Sequence, residues 1–491
     1  MLRARGWRVG MWKRRTVVTL VATLLPAMVF AQDAKAVIDA ASKAMGANGL
    51  NSISYSGVAA EGNFGQSRTI SFGLASTSIR SYTRTIDFTQ PASRAIGEAT
   101  PPAGRGAPPP QPRPYEDTIA AESPWAQQLS IWMTPWGFLR GAAANNATLK
   151  TKKLGEVSYR TLTWSPPQKA PSGLPYEIVG YIGPDNLVDR VETRVEHPIF
   201  GDMRVEIAYQ NYRDFSGVMS PTRIAERRMG MEMFVTGITS VVANPPNLAA
   251  LMTAAPPGGA SAAARPAAPA APPAAASEKL ADGVYRITGG YVSMAVEFKD
   301  YVVVLEGGQN EARGLAVIAE TKRLFPTKRI KYVVNTHPHF DHAGGLPPFV
   351  AEGATILEHD NSRYFMEAAL SEPRTLVGDV LARSKKKPKV EGVIDKMVLQ
   401  DETRTLELHA VKDLEHSDAM LLAFLPKEKI LFTADIDIPA PGQPVSPSIP
   451  TLVANLERLN LDFDRYVTVH PPTPDRPLTR ADLLALMKVA R

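Results

Sequence analysis

The chain is 491 residues long, which is too long for one ordinary domain and enough for two to four. It has 55 basic and 49 acidic residues, but six of the basic ones lie in residues 1–31, which contain no acid. Without that segment the charges balance at 49 each, so charge gives no argument for a nucleic-acid partner. The absence of cysteine excludes disulfides and thiolate ligands, which leaves histidine and carboxylates to hold any metal ion.

The first 31 residues have the pattern of a secretory signal peptide. A basic start precedes the apolar run Val17–Phe30, and Val29 and Ala31 occupy the −3 and −1 positions of a cleavage site before Gln32. The apolar run is short for a helix that spans a bilayer, and an uncleaved anchor is the alternative. The sequence therefore predicts an exported protein that is periplasmic or secreted.

Residues 32–253 form the first predicted domain. Asp33–Met45 has the periodicity of an amphipathic helix, and later segments alternate apolar and polar residues as strands do. In one of them Val205, Ile207 and Tyr209 share one face, so the pattern predicts a curved antiparallel sheet with one apolar face. The predicted strands include Arg68–Phe72, Glu177–Ile182, Leu187–Val195, Met203–Tyr212, Arg223–Arg228 and Met233–Val242.

Residues 254–277 contain only Ala, Pro, Gly, Ser and one Arg, so they are predicted to be a solvated linker. Residues 278–491 form the second predicted domain, in which apolar strands alternate with helices, as in sheets covered by helices. The predicted strands are Tyr301–Glu306, Ile330–Asn335, Ala354–Glu358, Thr405–Val411, Met420–Leu425, Ile430–Ala434 and Tyr466–Val469. The predicted helices are Glu311–Leu324, Asn361–Leu370, Leu452–Asn460 and Arg480–Val489.

The strongest chemical signal follows the predicted strand that ends at Asn335. His337, His339, Asp341 and His342 stand within six residues. Burying three imidazoles and a carboxylate together would be costly without a metal. His337 and His339 are two residues apart in extended chain and can face one ion, whereas Asp341 and His342 can turn toward a second. The run therefore predicts a metal-binding loop.

This H-x-H-x-D-H run resembles the signature of the metallo-β-lactamase superfamily, and the resemblance extends over most of residues 280–491. Three further landmarks follow in family order, namely His416, Asp435 and His470. The resemblance implies an αββα sandwich that holds two Zn²⁺ ions per chain. It implies a first site of His337, His339 and His416, a second site of Asp341, His342 and His470, and a bridging Asp435. The other histidines, His197, His359 and His409, are predicted to lie outside the metal centre, with His197 at the surface.

The resemblance implies a dizinc hydrolase in which a metal-bound hydroxide attacks a small-molecule substrate, and the signal-peptide pattern adds that this hydrolase is exported. Asp341 and Asp435 are the residues assigned to catalysis. The scissile bond stays open among esters, thioesters, lactones, β-lactams and phosphoesters. One alternative is a non-haem iron oxygenase of the same superfamily, because such proteins use the same ligand types. The other alternative is a ligand- or lipid-binding module with structural metals.

Two further features concern substrate and partners. Glu306 stands where the family has aspartate, Asp418 replaces a small residue in the third motif, and Val469 replaces the glycine usually found before the last histidine. These departures leave every predicted ligand in place and bear on second-metal affinity and substrate. In the first domain, the run Tyr209–Ile224 resembles the half-open β-barrel of periplasmic lipoprotein carriers. That resemblance implies that the domain could contact an envelope lipid or a protein.

All seven predicted ligands follow the linker, and residues 278–491 are numerous enough for a core of their own. The sequence therefore predicts that this part folds, binds its metals and acts alone. The alternative is that the first domain packs over the metals and completes the site.

Overall fold

The structure is a computed structural model that describes residues 25–70, 76–103, 109–253, 274–436, 438–439 and 445–489. Most of the predicted signal peptide and most of the predicted linker lie outside these residues, so both stay predictions. None of the described helices is long and apolar enough to cross a membrane.

One antiparallel sheet of eleven strands forms the first domain. Its strands are β1 (Ser52–Gly62), β2 (Ser76–Asp87), β3 (Ala92–Thr100), β4 (Arg113–Ile119), β5 (Thr148–Leu154), β6 (Val157–Trp164), β7 (Ile178–Ile182), β8 (Val188–His197), β9 (Gly201–Phe215), β10 (Val218–Arg228) and β11 (Met231–Ala243). Their order in the sheet is β4-β3-β2-β1-β11-β10-β9-β8-β7-β6-β5. The first and last strands of the domain therefore pair with each other in the interior of the sheet.

Helices cover the apolar face of this sheet. They are α1 (Leu25–Ala44), α2 (Trp125–Trp132) and α3 (Pro135–Ala144), and the short α4 (Leu248–Met252) contacts β2 and β3. Helices α1 and α3 pack against each other and against the strands β5, β6 and β8. Within β9, Val205, Ile207 and Tyr209 are buried in the core while Arg204 is exposed. The predicted antiparallel sheet with one apolar face is confirmed.

One predicted strand of the first domain is wrong. The described part of Arg68–Phe72, residues 68–70, forms bends and a turn after β1 ends at Gly62. The reason is that the main-chain carbonyl of Arg68 accepts a hydrogen bond from the main-chain N–H of Asp418 in the second domain. Local alternation of side chains cannot reveal a partner so distant in sequence.

The second domain contains two sheets. The seven-stranded sheet has the order β12 (Ala276–Ala281), β13 (Val284–Thr288), β14 (Ser293–Glu297), β15 (Tyr301–Leu305), β16 (Arg329–Val334), β17 (Thr355–His359) and β18 (Val390–Val393). The six-stranded sheet has the order β19 (Lys396–Gln400), β20 (Thr405–Ala410), β21 (Leu421–Leu425), β22 (Ile430–Thr433), β23 (Arg465–Thr468) and β24 (Leu478–Thr479). Strand β12 takes in the last two residues of the predicted linker.

The two sheets pack face to face and helices cover both outer faces. Side chains such as Val303 and Leu305 of one sheet share a buried cluster with Leu408 and Phe432 of the other. The helices are α5 (Glu311–Leu324), α6 (Phe340–Ala343), α7 (Leu346–Glu352), α8 (Asp360–Ser371), α9 (Val380–Ser384), α10 (Ser448–Leu459) and α11 (Arg480–Val489). Helices α5, α7 and α8 cover the first sheet, and α10 and α11 cover the second. The predicted αββα sandwich is confirmed.

The two domains share one hydrophobic core. A single buried cluster joins the core of the first domain to the helical layer around α5, α7 and α8. At the boundary the ring of Phe200 lies 5.6 Å from that of Phe340 and 5.8 Å from that of Phe365. Arg374 donates hydrogen bonds to the carbonyls of Ile199 and Pro198. These contacts favour the alternative in which the first domain packs against the second.

We expect Arg374→Ala to destabilise this boundary. The side chains of Arg374 and its ion-pair partner Asp379 are only 5% and 3% exposed, so removing the guanidinium leaves a buried, uncompensated carboxylate. The loss in the free energy of unfolding should be about 3–5 kcal/mol, measured by urea denaturation. The control Arg323→Ala removes a guanidinium that is 64% exposed and should change stability little. Equal effects of the two substitutions would show that the buried pair does not stabilise the boundary.

Candidate metal centre

The predicted ligands gather at one edge of the sandwich because each follows the end of a strand or lies in a loop beside one. His337 and His339 follow β16, and the short helix α6 that comes next carries His342. Asp435 and His470 follow β22 and β23, which are parallel neighbours paired at Thr433 and Thr468. Parallel strands present their carboxyl ends at the same edge, where loops can assemble a site on a rigid scaffold.

The first cluster consists of three histidines and one aspartate. Potential ligand atoms of His337, His339, His416 and Asp435 all lie within 4.8 Å of one another. The Nε2 atom of His416 is 3.2 Å from Nε2 of His337 and 2.9 Å from Oδ2 of Asp435. Such convergence of nitrogen lone pairs on one point is typical of a metal site with an open position.

The second cluster shares the same aspartate. Potential ligand atoms of His342, Asp435 and His470 also lie within 4.8 Å of one another. The Oδ1 atom of Asp435 is 3.0 Å from Nε2 of His342 and 2.7 Å from Nε2 of His470. One carboxylate therefore faces the first cluster with Oδ2 and the second cluster with Oδ1.

Asp341 lies beside the second cluster rather than within it. Its Oδ2 atom is 3.6 Å from Nε2 of His342 and accepts a hydrogen bond of 2.8 Å from the hydroxyl of Tyr291. Its Oδ1 atom accepts a hydrogen bond of 2.5 Å from the side-chain amide of Gln66. Tyr291 is itself fixed, because the buried guanidinium of Arg313 donates to its carbonyl. The structure thus brings six of the seven predicted residues together, and the assignment of Asp341 as a ligand stays a prediction.

The protonation states suit a metal. Burial alone would raise the pKa of Asp435, but the surrounding His337, His342, His416 and His470 lower it far below its usual range. Burial lowers the pKa of His337 well below its usual value. The same effect lowers the pKa of His339 to about 4. An ionised carboxylate and neutral imidazoles are the forms that bind metal ions.

His342 is the exception among the buried imidazoles. Burial lowers its pKa, but the charge of Glu306 and the interaction with Asp435 outweigh this effect and raise it to about 10. The charged form of His342 would carry a proton on Nε2, the atom that faces Asp435 and that a metal ion would bind. Metal binding at this point would release that proton.

The unpartnered atoms of the cluster show that the residues fit a cation. Among the described residues, His339 Nδ1, His342 Nε2 and Asp435 Oδ1 are buried without a hydrogen-bond partner. The last two are 3.0 Å apart, but their contact does not meet hydrogen-bond geometry. Leaving such atoms unpaired in a protein interior is costly, and metal ions bound at the two clusters would satisfy all three.

Glu306 acts on the second cluster through His342. It is fully buried, and its Oε2 atom accepts hydrogen bonds of 2.7 Å from the hydroxyl of Thr336 and 3.3 Å from Nδ1 of His342. Because Nδ1 of His342 carries the proton in this contact, its Nε2 is the atom that faces Asp435. The glutamate thus orients the imidazole in the way that carboxylates commonly orient metal-ligating histidines.

The remaining histidines lie outside the two clusters. His359 caps α8 by accepting from the N–H of Asn361, and His409 contacts Glu407. His197 was expected at the surface, and it is half-buried there. Its ring lies 5.1 Å from that of Phe340, at the boundary between the domains.

The comparison with protein families agrees with this geometry. Residues 287–478 match the family model described as the metallo-beta-lactamase superfamily. The C-terminal domain belongs to this superfamily. All seven predicted ligands lie within the matched residues, which cover less than half of the chain.

One curated relative and several solved structures each match less than half of the chain. The 2,4-dinitroanisole O-demethylase subunit alpha of Nocardioides sp. (strain JS1661) is 23% identical over 199 residues, which cover 39% of this chain and 54% of the relative. The chain thus spans about half the length of that curated relative. A metallo-beta-lactamase from Pontibacter korlensis is 17% identical, with a TM-score of 0.35 over 44% of this chain and 98% of that one. The metallo-beta-lactamase FIM-1 from Pseudomonas aeruginosa, in a mono-zinc form, is 15% identical, with a TM-score of 0.34 over 45% of this chain and 96% of that one.

We expect Asp435→Asn to impair the centre more than any substitution of an exposed aspartate. The change removes the negative charge that both histidine clusters face, so occupancy of the second metal position and turnover should each fall at least about tenfold. Metal content after dialysis and hydrolysis of a chromogenic ester measure the two effects. Asp462→Asn, which changes a carboxylate that is 73% exposed, is the matched control. Unchanged metal content in Asp435→Asn would remove the bridging role.

Proposed function

We propose that the protein is an exported dizinc hydrolase that cleaves an ester, thioester, lactone or β-lactam-type bond of a small molecule. The single observation that carries the proposal is the carboxylate of Asp435, which faces a cluster of three histidines with one oxygen and a second histidine pair with the other. Structural zinc sites are usually closed, four-coordinate and mononuclear, so two adjoining open clusters favour catalysis over a purely structural role.

The ligand types support zinc. The clusters offer imidazole nitrogens and carboxylate oxygens, and the chain has no cysteine. These are the ligands of catalytic zinc sites. When bound, a pair of zinc ions would lower the pKa of water, polarise the scissile bond and stabilise the leaving group.

The chain's own residues determine how a substrate reaches the centre. His337, His339 and His342 are buried, whereas the side chains of His416 and His470 remain 27% and 29% exposed. A small molecule would therefore approach from the side of His416 and His470. Tyr291 contacts the ring of His470 at 4.3 Å and holds its hydroxyl on Asp341, so it would form one wall of the entrance.

The cellular location belongs to the same proposal. It is supported by the signal-peptide pattern of residues 1–31, and an exported enzyme would meet its substrate outside the cytoplasm. The first domain could contribute contacts to an envelope lipid or protein, as its resemblance to lipoprotein carriers implies.

Metal analysis and a substrate panel test the proposal together. We expect about two zinc ions per chain in the purified protein, and turnover of at least one chromogenic ester, thioester, lactone or cephalosporin that is lost on chelation and restored by Zn²⁺. Asp435→Asn serves as the inactive reference on the same panel. Two bound zinc ions without hydrolysis of any substrate class would overturn the hydrolase proposal.

A second candidate is a non-haem iron oxygenase, because the curated relative bears the name of an O-demethylase subunit. The same histidine and carboxylate ligands suit iron as well as zinc. The two candidates differ in colour and in metal content. A single, tightly held iron and an oxygen-dependent reaction would replace the dizinc proposal.

A further inference from the structure

We propose that the first domain is part of the metal centre: its loop 63–70 positions His339 and Asp341, so that the metals bind tightly only when this loop is in place. The inference rests on the proposed metal centre but not on the reaction that it performs. It concerns how the ligands are held, which metal affinity reports independently of turnover.

The loop is anchored to both chain segments that supply the histidines of the first cluster. The N–H of Phe340, next to His339, donates a hydrogen bond of 3.0 Å to the carbonyl of Gly65. The N–H of Asp418, two residues after His416, donates one of 3.0 Å to the carbonyl of Arg68. These two main-chain hydrogen bonds hold the loop against the segment that carries His339 and against the segment that carries His416.

Two side chains of the loop add to this anchoring. The guanidinium of Arg68 donates a hydrogen bond of 3.0 Å to the carbonyl of Leu414, and the hydroxyl of Thr69 donates to the carboxylate of Asp418. Both partners belong to the segment that carries His416. Asp418 is one of the three residues that depart from the family pattern, and its carboxylate accepts a hydrogen bond from the first domain.

The proton position of His339 depends on this loop. Its Nε2 atom lies 3.1 Å from the carbonyl oxygen of Ser67. A carbonyl only accepts hydrogen bonds, so Nε2 must carry the proton and Nδ1 must keep its lone pair. That Nδ1 atom is buried and has no partner among the described residues. The first domain thus selects the tautomer that presents a free lone pair to the first cluster.

The orientation of Asp341 also depends on the loop. Gln66 reaches across from the first domain and donates to Oδ1, while Tyr291 of the second domain donates to Oδ2. With both oxygens held, the carboxylate stays beside Nε2 of His342 at 3.6 Å. Gln66 is therefore a positioning residue for the second metal, because it acts on a predicted ligand and lies in no cluster itself.

Gly65 makes the close approach possible. A Cβ atom at this position would lie 2.0 Å from the ring of Phe340, and the residue has a φ of +79°. Gly49, in the same domain, has nearly the same backbone conformation, with a φ of +76°, and nothing within 4 Å of a Cβ atom. Alanine at either position carries similar backbone strain, but only at Gly65 does it push the loop away from the metal-binding segment.

The first test compares Gly65→Ala with Gly49→Ala in the full-length protein. Apparent Zn²⁺ affinity is measured by competition with a chelating dye, and circular dichroism verifies that both variants are folded. We expect Gly65→Ala to weaken Zn²⁺ binding about tenfold or more, the scale for losing a hydrogen bond to a metal ligand, while Gly49→Ala stays near the unmodified protein. Equal affinities in the two variants would overturn the inference.

The second test keeps the inference falsifiable if Gly65→Ala does not fold. Gln66→Ala removes only the amide that holds Asp341, and Gln90→Ala, at an exposed position of the same domain, is its control. Gln66→Ala should weaken the second Zn²⁺ about tenfold and leave the first nearly unchanged. A general structural defect would weaken both ions, and either that result or no change would contradict the positioning role.

The outcomes separate this inference from the proposed function. A protein that binds two Zn²⁺ ions but hydrolyses nothing leaves the affinity comparison valid. A hydrolase whose affinity is the same in Gly65→Ala and Gly49→Ala keeps its function and loses this inference. A protein that binds no metal overturns both.

Discussion

The second domain depends on one constraint, the compensation of the largely buried carboxylate of Asp435, whose side chain is 12% exposed. Its two oxygens face four imidazoles within 3.5 Å, and the residue adopts a left-handed φ of 55° two residues after the end of β22. Such a conformation persists only where the surroundings fix it. The two packed sheets provide that fixation, because they bring the ends of β16, β22 and β23 to one edge. Ligands that follow these three strands can then converge, although the three strand ends are distant from one another in sequence.

Much of this arrangement is predictable from sequence because its signals are local. Helices α5 and α11 have the predicted bounds, since periodicity and capping residues are read within a dozen positions. The ligands are predictable because imidazoles crowded at His337, His339 and His342 make no sense as packing. His416, Asp435 and His470 came from the resemblance, and the structure brings all three to the same edge.

The parts that sequence could not predict are those that join distant segments. Gln66 and Asp341 are 275 residues apart, and nothing in the amide of Gln66 marks it as a partner of a metal-binding aspartate. The contact of His339 is with a main-chain carbonyl, which is present at every residue and leaves no signature of its own. The bends at residues 68–70 were predicted to be a strand for the same reason: a main-chain contact with a distant segment leaves no signature in the sequence. The sequence signal at Tyr291 is an aromatic residue that follows two glycines, and this signal is weak.

A linker without packing residues does not make the domains it joins independent. Here the residues on either side share a core, and hydrogen bonds cross from the first domain to His339 and Asp341. Coupling of this kind is reciprocal: if packing of the first domain raises metal affinity, bound metal must stabilise that packing by the same free energy. An isolated second domain would then retain its sandwich and the ligand-bearing strand ends, but with His339 free to exchange tautomers and Asp341 free to rotate. Residues 278–491 would then fold alone, as the linker composition predicts. They would not reach the metal affinity of the full-length protein alone.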